Sequence, residues 1–416
     1  MESALAVFDT NLNQIGPIST LPIANIPAKD IEFGQHHAVA NHPSVSFYNN
    51  AIIAYDDKAV FPLVPTNSSG SISSPAIGPL IIVDSSRILA DPRNANIGLL
   101  IYSASNQVRN LSFSGFNSTG LNLNGADATN NTVSSCWFGV GSTGTNAAPN
   151  GSQGILISGG ASANLIGGTN TLARNLISGN GQYGVCLRDP GTSRNSLLGN
   201  VIGADLSGTN ALGNTLANVA LFSGASGNFI GGIAPGTGNI LAFCSSGPGV
   251  VLSDSATTNN AIRGNSIFNN AHLGIDLNND GVTPNDTGDS DIGPNRLQNF
   301  PVVTNAYGSG TSTIISGRLN SSPNATFFID LYSSPAADAT GYGEGKAWLG
   351  AVSVTTDASG NASFTFTNTT GNFAGQYVAG TATSSSGDTS EFSLAVVAGN
   401  KPRAPTGLRV LSQSPN

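Results

Sequence analysis

The chain has 416 residues, 39% of them apolar and only 9% charged. That is long enough for two or three domains and too apolar for a disordered segment. The net charge of −8 arises from 19 Asp and 4 Glu against 11 Arg and 4 Lys, which excludes a surface built to neutralise a nucleic-acid backbone. Cys136, Cys186 and Cys244 are too few and odd in number for a disulfide framework, and without zinc spacing they are expected to be buried free thiols. No run of 18 apolar residues is present, so no transmembrane helix or membrane insertion is expected. The start, Met1-Glu-Ser-Ala-Leu, lacks the basic and apolar regions of a signal peptide, which leaves a cytoplasmic protein or, the favoured expectation, a chain from which an export signal has been removed.

Residues 1–78 contain short β-like runs such as Val45-Ser-Phe-Tyr48, broken by Pro and Asn. They are expected to form a β-rich cap or module, because a stack of strands needs a protected end. His36, His37 and His42 lie here without carboxylates at ligand spacing, and are read as loop histidines.

Over residues 79–299 one pattern repeats seven times, at Gly98, Gly120, Gly154, Gly184, Asn218, Gly249 and Gly274, each followed by aliphatic-x-aliphatic. Period 2 turns the two aliphatic positions inward and the middle one outward. All fourteen inward positions, from Leu99 and Ile101 to Ile275 and Leu277, are aliphatic. A repeat of this length predicts short strands stacked rung on rung in a parallel β-helix. Two asparagine columns set the register: Asn106, Asn131, Asn164, Asn195, Asn228 and Asn260, and then Asn110, Asn175, Asn200, Asn239 and Asn265. Stacked asparagines are expected to bond along the column and satisfy turn backbone. The repeats Gly144-Thr-Asn-Ala147 and Gly208-Thr-Asn-Ala211 predict that the long loops 139–150 and 203–214 project from one side. The outward column Leu100, Asn122, Leu156, Cys186, Ala220, Val251 and Asp276 would form an apolar stripe, which is expected to be covered by the same chain.

Residues 300–397 alternate in longer runs, such as Ala325-Thr-Phe-Phe-Ile-Asp-Leu-Tyr332, divided by turns such as Asp357-Ala-Ser-Gly360. This predicts an immunoglobulin-like β-sandwich. Residues 398–416, with Lys401-Pro-Arg-Ala-Pro, read as a linker and the start of a truncated fibronectin type III-like domain.

The run from Asn265 through Asp276-Leu-Asn-Asn-Asp280-Gly to Asp289-Ser-Asp-Ile-Gly-Pro-Asn295, followed by Gly341-Tyr-Gly-Glu-Gly345, resembles bacterial secreted right-handed parallel β-helix repeat proteins with a C-terminal sandwich. The likeness covers about residues 95–397. It implies an all-β, right-handed β-helix (solenoid) followed by a β-sandwich, in an exported or cell-surface protein, and implies little about activity.

The strongest chemical motif is Asp276, Asn278 and Asp280 before Gly281. Oxygen donors at alternate positions before a glycine bend resemble a calcium loop. Thr287 stands where an EF-hand has its bidentate Glu, so this is no EF-hand; one reading is a structural calcium whose shell Asp286, Asp289 and Asp291 complete, and the other is a polar Asp/Asn turn without metal. No catalytic residue is assigned. The outward columns carry no carboxylate pair at the separation that glycoside hydrolysis requires, and Arg188-Asp189 reads as a surface ion pair. His272 is expected to pack or bond within a turn rather than act as a base, and Trp348 to pack in the sandwich core, with sugar stacking by Tyr342 and Trp348 as the other reading. The leading expectation is a non-catalytic extracellular protein for adhesion, glycan or protein binding, or self-assembly. The alternative, a polysaccharide lyase, hydrolase or epimerase, rests on analogy of fold.

Overall fold

The computed structural model describes residues 97–400 in full, and before them only the backbone of six short strands. The expected cap over 1–78 with His36, His37 and His42, and the fibronectin-like start within 401–416, lie outside the fully described residues.

The chain is all-β, and its first part is a parallel β-helix-like solenoid. Three parallel sheets run the length of the shaft. The first stacks Leu99–Ile101, Leu121–Asn124, Ile155–Ser158, Tyr183–Arg188, Ala217–Phe222, Val250–Leu252 and Ile275–Leu277. Each pair is in register, Leu121 beside Leu99 and Ile155, and Ile275 beside Val250. The second sheet runs from Gln107–Arg109 to Ala261–Arg263, and the third from Ile81–Asp84 to Ser266–Phe268. All fourteen inward aliphatic positions of the first sheet lie in one continuous core, joined by Val108, Val133, Ile166, Leu197, Ile230 and Ile262 of the second sheet. Successive rungs are about 4.8 Å apart, the spacing of hydrogen-bonded strands.

The third sheet also has an outward apolar stripe, which the sequence reading did not single out. Trp137, Leu176 and Val201 are buried on that side, with Ile240 packed against them. The loops 139–150 and 203–214 cover this stripe. Each folds back on itself through a bridge, Val140 to Ala147 and Ala204 to Ala211. The loops also meet each other, since Leu206 N donates to Gly144 O at 3.0 Å. Gly144 is required there: its φ is +73°, and a Cβ would lie 3.1 Å from the Trp137 ring. On the first sheet the outward column from Leu100 to Asp276 is likewise buried. There Tyr183 and Phe222 pack against Ala217, Ala220 and Val251.

From Val302 onward pairing becomes antiparallel. Two four-stranded sheets form, one built on Val302–Ser309, Ser312–Asn320 and Asn361–Asn368, the other on Thr326–Ser334, Ala347–Thr355 and Tyr377–Ser384. Phe327, Ile329 and Leu331 alternate into the core shared by these sheets, with Ile315, Leu319 and Phe364 opposite. The other face of Thr326–Ser334 meets the solenoid. Tyr332, Ala379 and Phe392 join the solenoid core and close its end. The Tyr332 and Phe392 rings meet edge to face at 5.2 Å, and Gly274 leaves room for them, since a Cβ there would lie 2.9 Å from Phe392. The C-terminal domain thus covers apolar surface and strand ends that a terminal rung leaves bare.

Candidate functional site

Three asparagine ladders brace the turns, one more than the sequence reading found. In the first, each Nδ2 from Asn106 to Asn228 donates to the Oδ1 of the next asparagine at 2.8 to 3.0 Å. The same Oδ1 accepts the preceding asparagine's backbone N–H. The ladder continues to Asn295, whose Nδ2 donates to Thr389 O of the C-terminal domain. The second ladder runs Asn175, Asn200, Asn239, Asn265, with Cys136 N donating to Asn175 at its lower end; Asn110 does not join it and instead takes a left-handed turn at φ +56°. The third runs Asn150, Asn180, Asn214, Asn218, Asn270 and ends on the Glu344 carboxylate at 2.8 Å. Its trace in the sequence is an Asn four residues before the leading position of a repeat, as in Asn150 before Gly154 and Asn270 before Gly274.

The C-terminal domain therefore meets the last rungs through carboxylates. Glu344 also accepts from the backbone N–H groups of Asn269 and Asn270. Glu391 accepts from Leu277 N and Thr283 N, each at 2.9 Å. Asp388 takes Asn259 N and pairs with Arg296. Asp330, fully buried, holds Arg263 through Nε at 2.6 Å and Nη2 at 3.2 Å. Burial pushes the Glu391 carboxyl up to about 8 against its two amide donors, with the charges of Asp276 and Asp280 adding to the rise. Burial also raises Glu344 and Asp330.

The six expected calcium ligands fall into two groups. Asp286, Asp289 and Asp291 converge, with a carboxylate oxygen from each within 4.8 Å of the others. Asp289 is fixed by Asn299 N at 2.9 Å and by the Ser321 hydroxyl. Burial, with the charges of Asp291 and Asp286, raises its carboxyl to about 6. One buried oxygen of Asp286 and one of Asp291 have no hydrogen-bond partner. Asp276, Asn278 and Asp280 stand apart from that group and bond among themselves: Asp280 N donates to Asp276 Oδ1 at 3.2 Å and Asn278 Nδ2 to Asp280 Oδ2 at 2.9 Å.

Along the shaft the carboxylates are engaged in turns. Asp205 accepts from the Ser207 hydroxyl, the Asn210 side chain and backbone amides of its own loop. Burial opposes its ionisation, yet these bonds hold its carboxyl below the ordinary range. Asp189 accepts from Gly159 N and Asp254 from Ser223 N, each on the neighbouring rung. Asp127 is exposed. Arg188 and Asp189 form the expected surface pair, at 3.9 Å. His272 is exposed, and its backbone N–H donates to Gly247 O. The three cysteines are free and buried, and burial lifts Cys136 and Cys186 to about 12. Trp348 departs from the sequence expectation: the residue is 37% exposed rather than buried in the core.

The chain matches no protein-family model and no curated protein. Among the described residues no helix is long and apolar enough to cross a membrane.

Proposed function

We propose that the chain is a non-catalytic module of an extracellular or cell-surface protein, a right-handed parallel β-helix with an immunoglobulin-like sandwich, that presents a rigid face to polysaccharide or protein. The observation that carries this reading is the use of the shaft carboxylates. Four of the five aspartates in its described rungs, Asp189, Asp205, Asp254 and Asp276, hold backbone amides, whereas an acid or base needs a carboxyl free to exchange a proton with substrate. Uncharged Asn, Ser and Thr side chains dominate the turns, which suits contact with hydroxyl-rich or peptide surfaces. Self-assembly of copies into a larger structure is the same reading with a different partner.

Calcium belongs to this proposal as a structural ion at Asp286, Asp289 and Asp291. The unpartnered buried oxygens of Asp286 and Asp291 are hard donors of the kind that Ca²⁺ collects. Bound there, the ion would tie the segment after the last rung to Ser321 and Asn299, which already hold Asp289.

The enzyme alternative keeps one specific pair. Asp189 and Asp254 occupy equivalent turns two rungs apart, about 10 Å by strand spacing, just above the range of about 6.5–9.5 Å for inverting glycosidases. Co-sedimentation of the protein with neutral and acidic polysaccharides, scored together with release of reducing and unsaturated ends, separates the readings. Retention without new ends is expected. New ends that vanish in Asp189→Asn and Asp254→Asn variants would replace the binding module with an enzyme.

A further inference from the structure

We propose that the exposed indole of Trp348 is a stacking platform for a neutral hexopyranose ring, held in place by the Arg263–Asp330 pair. The inference rests on the binding-module reading above and gives it a site and a ligand class. The sequence has two tryptophans. Trp137 is buried beneath the long loops at 5% exposure, while Trp348 stands 37% exposed.

Trp348 owes its direction to an irregularity in its strand. Leu331 pairs with Gly350, but Tyr332 pairs with Trp348, so Leu349 is an extra residue in the ladder. A bulge of this kind re-aims the side chains beside it. Leu349 turns into the core of the C-terminal domain, and Trp348 moves to the side occupied by Asp330. Gly350 permits the bend: its φ is +141°, and a Cβ would lie 2.5 Å from the Phe366 ring.

Once there, the ring is fixed. Its Nε1–H donates to Asp330 Oδ1 at 3.0 Å. Asp330 is itself held by two Arg263 nitrogens, and the guanidinium lies 4.9 Å from the centre of the Phe328 ring. Among the described residues no aromatic ring stacks on Trp348. A buried ion pair is a weak source of stability, but it sets orientation well. A flat, exposed and immobilised ring loses little freedom on binding.

The ligand class follows from the charges. Arg263 compensates Asp330, so the indole N–H edge is neutral overall, and Lys346, two residues before Trp348, is engaged over the Phe268 ring at 4.5 Å. The apolar C–H face of an uncharged sugar fits the indole face, and its hydroxyls remain in water. One stacked ring supports only weak affinity, on the order of millimolar. Useful retention therefore needs a polymer that presents many such rings.

The test is tryptophan fluorescence of the full chain with acrylamide as quencher, against hydroxyethylcellulose, galactomannan and soluble starch, with alginate as the anionic probe. At least one neutral polymer should lower the quenching constant about two-fold, because Trp137 is already shielded. Trp348→Ala should lose retention on that polymer about ten-fold while keeping its circular dichroism, with the melting temperature lowered only by the loss of the Nε1–H bond to Asp330. Trp348→Phe should retain part of the binding, and Asp330→Asn should weaken it with the ring still present. The proposal is overturned if no neutral polymer alters quenching, if alginate alone does, or if Trp348→Ala binds as tightly as the parent. Retention with Trp348 unperturbed removes this site and leaves the binding module standing. Protection of Trp348 with release of new ends keeps the site and removes the non-catalytic reading.

Discussion

Asn195 lies in the middle of the first ladder, with no exposed surface, and its truncation to Ala tests what the ladders contribute. Its Nδ2 donates to Asn228 Oδ1 and Ala161 O, both at 3.0 Å. Its Oδ1 accepts from the backbone and side-chain nitrogens of Asn164, at 3.0 and 2.9 Å. Asn195→Ala therefore leaves three buried groups without partners: Asn164 N–H, one Asn164 Nδ2–H and Ala161 C=O. At about 1–3 kcal/mol for each buried group left unsatisfied, with water refilling part of the space, the loss is about 3–6 kcal/mol. Asn117 is exposed and makes none of these bonds, so Asn117→Ala should stay within about 0.5 kcal/mol. Guanidinium unfolding followed by circular dichroism gives both values. Tryptophan emission adds position, because Trp137 reports the solenoid and Trp348 the C-terminal domain. A loss below about 1 kcal/mol for Asn195→Ala would show that the ladder is incidental to stability.

Calcium should raise the melting temperature of the parent chain, by the equivalent of about 2.7 kcal/mol at one hundred times its dissociation constant. Asp286→Asn with Asp291→Asn should abolish the shift, and an unshifted parent would remove the ion from the account. Without metal, stability should fall as pH rises. Glu391 has its carboxyl raised to about 8, and a carboxyl raised on folding contributes stability that is complete below its unfolded pKa and lost as pH climbs through the folded one. The slope between about pH 5 and 8 should reach about 1.4 kcal/mol per pH unit for one proton, and Glu391→Gln should flatten it; a parent that gains stability over that window contradicts the junction chemistry. Asp205→Ala should cost about 1–3 kcal/mol and open the 203–214 loop to protease, whereas Asp127→Ala, at an exposed site, should do neither.

Much of the shaft was legible because its signals are local and repeated. Leu99 and Ile101 predict Leu121 and Leu123, and the pairing follows directly. The third ladder was harder to read, because Asn218 stands in the leading position of a repeat and concealed the column that it joins to Asn214 and Asn270. The outward stripe at Trp137, Leu176 and Val201 was missed for another reason: strands of two residues, such as Leu176–Ile177, give no periodicity to count. The acidic residues of the junction were visible as types but not as partners. Glu344 and Asn270, or Asp330 and Arg263, meet across more than 60 positions, a distance over which spacing carries no information. Residue type alone places Trp348 in the core, and the bulge that turns it outward shows in the sequence only as Gly350.

The most direct test of the central claim is the chain length of each polysaccharide after a day in contact with stoichiometric protein and calcium, measured by size-exclusion chromatography with light scattering. If the shaft carboxylates serve only its turns, retained polymer keeps its full length and gains no unsaturated ends. Shortened or unsaturated chains from any member of the panel would contradict that and place catalysis on the turns of Asp189 and Asp254.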